Sequence, residues 1–106
     1  MTLVFQAHPK ELKILEIKVR NKDFEVIRVI QELEVLEEAE KVWQKLKPID
    51  TLPNTNWTHK LDVTSESIGG RWLYNKEGYL AKLNKQLKPM YKVSDVSKFN
   101  EIYLGL

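Results

Sequence analysis

The stretch LEIKVRNKDFEVIRVI, residues 15–30, admits two readings, and the choice between them decides the fold. Leu15, Ile17 and Val19 alternate with Glu16, Lys18 and Arg20, the two-residue period of a strand with one buried face. Beyond Asn21-Lys22-Asp23, the run from Phe24 to Ile30 is rich in β-branched side chains, which crowd a helix and pack well on a pleated surface. The two runs would pair back on each other as a hairpin. The competing reading is one long helix that starts with Pro9 in its first turn and continues to Leu46. Asn21-Lys22-Asp23 interrupts its apolar stripe, and a helix of more than about 35 residues is unusual outside coiled coils. We therefore expect a hairpin followed by a helix.

From Gln31 onward the period changes. Leu33, Leu36, Val42 or Trp43, and Leu46 recur at three- and four-residue spacing among strong helix formers. Glutamates lead and lysines follow, the polarity that a helix dipole favours, and Pro48 stops the pattern, so a helix is expected over 32–47. If any of its apolar residues lay outward, Val35 and Trp43 would be the candidates for a dimer contact. Ile49 to Asn56 reads as a loop, and Trp57 to Val63 alternates as another strand.

Residues 68–74 and 78–83 flank Asn75-Lys76-Glu77. A type I turn with Gly78 in the left-handed conformation would join them as a hairpin. Met90 to Val93 is expected as a short edge strand, and Ser94 as the N-cap of a short helix ended by Gly105. No internal repeat is visible. The sum is an α+β fold, a single domain over residues 1–106, with an antiparallel sheet of four to six strands. One long helix packs on a face of that sheet, and a short helix closes the C-terminus.

Composition narrows the function. The chain has 106 residues, 42% hydrophobic and 30% charged, ordinary values for one hydrophobic core. It holds no cysteine, which removes disulfides, thiolate metal sites and cysteine nucleophiles. No run approaches the ~18 apolar residues of a membrane span and the N-terminus does not read as a signal peptide, so the expected location is cytoplasmic. His8 and His59 sit in no ligand spacing, and a cluster of Asp50, His59 and Asp62 is not demanded by any pattern. Ser65 to Gly70 lacks the spacing of a phosphate-binding loop. The expectation is a non-enzymatic protein with no catalytic residue, metal or cofactor.

The net charge of +2 is too small to imply a polyanionic partner, but its distribution is uneven. Between Arg71 and Lys92 six basic residues face one acid, Glu77. Arg71, Lys76, Lys82, Lys85, Lys88 and Lys92 would supply charge for phosphates, and Trp72, Tyr74 and Tyr79 would supply rings for stacked bases. Trp72, Tyr74 and Tyr79 are expected as one cross-strand cluster, either core or platform. If residues 82–88 form a helical turn, their lysines would line one side. The leading expectation is thus a small binding module for nucleic acid, without a sequence-reading code. The alternative is a protein-interaction or regulatory subunit, a homodimer among its forms, using the acidic helix or a sheet edge.

Overall fold

The computed structural model describes residues 13–50 and 56–105; His8-Pro9 and the centre of the 49–56 loop lie outside them. Residues 15–30 form the hairpin. β1 (Glu16–Asn21) and β2 (Val26–Ile30) pair antiparallel, with a register shift between Val19 and Arg20. Ile17 and Val19 are fully buried, which is why the two-residue period prevails over a helix here.

The helix α1 spans Leu33–Gln44, shorter than the expected 32–47, because Lys47–Pro48 leaves to form the strand β3. Proline cannot donate to a ladder, and β3 is accordingly an edge strand. Leu33 is 69% exposed; the stripe that packs runs through Leu36, Ala39 and Trp43. Trp43 is therefore core rather than a dimer contact. β4 (His59–Thr64), β5 (Gly70–Tyr74), β6 (Tyr79–Lys82), β7 (Met90–Lys92) and α2 (Val96–Leu104) complete the α+β fold. Among the described residues the sheet has seven strands in the order β2-β1-β4-β5-β6-β7-β3, every pairing antiparallel. That exceeds the expected four to six because β3 is short and adds to β7, which is consequently not an edge. Asp95 caps α2 in place of Ser94, its Oδ1 accepting from the Lys98 N–H at 3.1 Å.

Both helices pack on one face of the sheet. Ile17, Val19, Leu61, Val63, Trp72, Tyr74 and Leu80 meet Leu36, Ala39, Trp43, Phe99, Ile102 and Tyr103 in one core cluster. Aromatic edges interlock there: Trp43 on Trp72 at 5.2 Å, Tyr74 on Phe99 at 5.0 Å and Phe99 on Tyr103 at 4.4 Å between ring centroids. The Tyr74 hydroxyl donates to Asn100 Oδ1. The Tyr103 hydroxyl is buried without a partner among the described residues, and burial pushes its pKa upward.

A repeat does exist, at the scale of five residues. Asn21-Lys22-Asp23-Phe24-Glu25, Asn75-Lys76-Glu77-Gly78-Tyr79 and Asn84-Lys85-Gln86-Leu87-Lys88 adopt one turn. In each, the asparagine Oδ1 accepts from the N–H groups two and four residues on, at 2.9–3.2 Å. Its carbonyl accepts from the N–H three residues on, at 3.0–3.2 Å. The fourth residue must then be left-handed, and Phe24 (φ 67°), Gly78 (φ 93°) and Leu87 (φ 53°) all are. Only Gly78 meets that demand without strain. A Cβ there would also stand 2.8 Å from Val96 Cγ2.

Candidate nucleic-acid interface

The face away from the helices carries the alternate residues of each strand. Glu16, Lys18 and Arg20 come from β1; Lys60, Asp62 and Thr64 from β4; Arg71 and Leu73 from β5; Tyr79 and Ala81 from β6; Lys92 from β7; Lys47 from β3. Leu73, Ala81 and Met90 are buried on its β5–β7 side, so the open ground lies over β1, β4 and the margin of β5. A shallow groove of about 520 Å³ runs there, lined among others by Lys18, Arg20, Asp62, Thr64, Arg71 and Leu83.

Asp62 organises this ground. Its neighbours across the ladder are Lys18 on one side and Arg71 on the other. Arg71 donates to its two oxygens from Nε and a terminal nitrogen at 2.5 and 2.9 Å, and Arg20 Nε donates at 2.7 Å. Arg71, and then Arg20, hold the Asp62 carboxyl below the ordinary carboxylate range against the opposing effect of partial burial. One acid thus orients two guanidiniums but leaves an excess of positive charge. Among the described residues, like charges oppose each other directly twice, Arg20 against Lys60 and Lys47 against Lys92. Such pairs weaken a sheet, so packing does not explain them.

Rings lie beside these cations. Lys60 Nζ is 4.2 Å and Arg71 Cζ 5.4 Å from the centroid of Phe24, which is 50% exposed. Lys92 Nζ is 5.3 Å from the ring of Tyr79, which is half-buried.

The structure divides the expected site residues. Arg71, Lys92 and Tyr79 share the helix-free face. Trp72 and Tyr74 belong to the core beneath the helices and offer no stacking surface. Tyr79 is not part of their cluster: Tyr74 pairs with Leu80, five residues intervene, and the extra bulge residue turns Tyr79 to the opposite face. Lys82 emerges on the helix side, 5.0 Å from the Trp72 ring, with Nζ donating to the Gly69 carbonyl; burial lowers its pKa. Lys76 is exposed at the tip of the second turn. Lys85 and Lys88 are exposed in the third turn, at the other end of β6, and that segment is a turn rather than a helix lining lysines along one side.

His59 lies on the helix face, opposite Tyr74, while Asp62 lies on the other, so the acid/base cluster does not assemble. Lys18, Arg20, Phe24 and Lys60 were not among the expected site residues. Their signal is cationic residues recurring at the polar positions of alternating strands, visible only when charge is summed by face.

No family model, curated protein or solved structure matches this chain. Function therefore rests on the geometry of this face.

Proposed function

We propose that this protein is a small non-enzymatic nucleic-acid-binding module whose contact surface is the helix-free face of the sheet, not the 71–92 segment by itself. The observation that carries the reading is that two rings on one face each carry cations, Phe24 with Lys60 and Arg71 and, separately, Tyr79 with Lys92, beside cations that repel one another across the ladder. Phosphates would neutralise Lys18, Lys60 and the outer edges of Arg20 and Arg71, and bases would meet the rings. Among the described residues, the guanidiniums of this face that could pair with a base edge, Arg20 and Arg71, are already engaged by Asp62, so recognition would be of backbone and ring rather than sequence. A cysteine-free chain suits a reducing, cytoplasmic setting.

Retention on heparin or single-stranded DNA should fall steeply with salt. Lys18→Gln/Lys60→Gln should lower affinity about tenfold, whereas Lys85→Gln/Lys88→Gln in the third turn should change it less. Absent or salt-insensitive binding would overturn the reading.

A second reading is favoured by β2. Among the described residues this edge strand pairs only with β1 and leaves Val26, Ile27 and Val29 44–49% exposed, an invitation to another strand. A second copy pairing antiparallel there would make a homodimer, seen as concentration-dependent mass by light scattering. The acidic helix is less available for this, since Glu40 accepts from the Ile14 N–H at 2.9 Å and Glu38 faces Lys98 at 3.6 Å.

A further inference from the structure

We infer that Phe24 is the stacking platform of this face and that its ligand is single-stranded nucleic acid, one unpaired base lying on the ring. This rests on the nucleic-acid reading and adds to it a strand class and a residue.

Three independent observations meet at Phe24. The first is conformational: the residue holds φ 67°, at the turn position that Gly78 fills in the second copy of the same turn. A bulky side chain enters the left-handed region reluctantly, and such outliers persist where the surroundings enforce them. The surroundings do so here. The Phe24 N–H donates to the Asn21 carbonyl at 3.0 Å, and its own carbonyl accepts from an Arg20 terminal nitrogen at 2.8 Å.

The second observation is that packing does not repay the strain. Leu87, in the equivalent place of the third turn, is half-buried, but Phe24 is 50% exposed and stands outside the core cluster. An exposed phenyl ring in a strained turn contributes little to folding.

The third is electrostatic. Lys60 and Arg71 stand 4.2 and 5.4 Å from the ring centroid, and the groove holding Lys18, Arg20 and Thr64 opens on the same face. A base on the free half of the ring would bring its flanking phosphates within reach of these cations. In a duplex both faces of each base are already stacked, so a lone ring of this kind can engage only an unpaired base. Arg20 links the parts, since its guanidinium joins the Phe24 carbonyl to Asp62, the residue that also orients Arg71.

Fluorescence anisotropy with a short labelled oligothymidylate and with a blunt, loop-free duplex of the same charge tests this. Phe24→Gly should weaken binding of oligothymidylate roughly 5- to 150-fold, the range for loss of one stacked base, with duplex binding little changed and the melting temperature raised rather than lowered, since glycine relieves the left-handed strain. Phe24→Leu, which keeps apolar bulk but no ring and leaves the turn without a new glycine, should show the same selective loss. Phe24→Trp should restore affinity, and its added indole emission should be quenched by the oligonucleotide. Wild-type affinity in Phe24→Gly, or equal losses for single strand and duplex, would overturn the inference, while continued weakening by Lys18→Gln/Lys60→Gln would leave the broader reading standing. Failure of the wild-type protein to bind either probe would overturn both.

Discussion

Asn75, Asn21 and Asn84 accept the same turn hydrogen bonds at three depths, though their Nδ2 groups donate to different partners, the Asn56 carbonyl, Glu25 Oε1 and the Lys88 carbonyl, so the comparison weighs burial against largely shared bonds. Asn75 is 3% exposed, Asn21 is half-buried and Asn84 is exposed. Removing an acceptor strands two amide donors in each case, and a stranded donor costs more the less water can reach it. Asn75→Ala should therefore destabilise by about 2–3 kcal/mol and Asn84→Ala by about 1 kcal/mol or less, as read from chemical denaturation. Equal losses would show that the turn itself, rather than its burial, sets the cost. At this scale the sequence was legible only where the turn obeys the usual chemistry. Asn75 to Gly78 announces itself because glycine occupies the left-handed position. Phe24 and Leu87 occupy that position in the other turns, so nothing in the sequence marks Asn21 to Glu25 and Asn84 to Lys88 as copies of the same turn, and residues 82–88 read equally as a helical turn. The same obscurity hid the candidate platform, because an aromatic at the start of a β-branched run reads as strand.

At the scale of the element, β1, β4 and β5 combine a legible period with an illegible direction. Alternation correctly assigns Ile17, Val19, Leu61 and Val63 to one side and Lys18, Arg20, Lys60 and Asp62 to the other. Alternation alone does not say that both helices cover the side of Trp72 and Tyr74. It also does not fix the hairpin parity that sends Tyr79 away from them. Charge counted along the chain singled out residues 71–92, whereas the ladder gathers cations from strands far apart in sequence. Asp62 holds that gathering together, and its removal has opposite effects on folding and on binding. Asp62→Asn loses its charge-assisted bonds to Arg71 and Arg20 on a partly exposed surface, so stability should fall by about 1 kcal/mol. Affinity for a polyanion should rise at low salt, because the only acid between the two guanidiniums is gone. A titration in which stability and affinity fell together would contradict this assignment of Asp62.

Over the whole molecule, two groups on opposite faces make stability depend on pH in the same direction. Burial, then Lys76 and Lys60, lower the pKa of His59 below its ordinary 6.5. As pH falls through 6.5 the unfolded chain takes up a proton that the folded one refuses, so stability declines until the folded group also titrates. Asp62 is held below its ordinary 3.8, so its contribution is present above that value and is lost as pH falls through the folded pKa. Denaturation midpoints should thus decrease on acidification in two steps, and His59→Gln should flatten the upper one alone. The α+β architecture was readable because hairpins and an amphipathic helix leave periodic traces. The two-residue strand β3 leaves none, since Lys47–Pro48 is too short to show a period and proline reads as a stop.

Arg20 opposite Lys60 and Lys47 opposite Lys92 give the molecule a built-in reporter. A face that repels itself is relieved by whatever anionic ligand fits it, and a ligand that favours the folded state raises the melting temperature with the logarithm of its concentration over its dissociation constant. At a hundredfold excess over its dissociation constant the gain is about 2.7 kcal/mol, roughly ten degrees for a chain of this size. A panel of oligonucleotides, polyphosphates and acidic peptides can then be ranked by heating the protein with each, and the molecule will sort its own ligands.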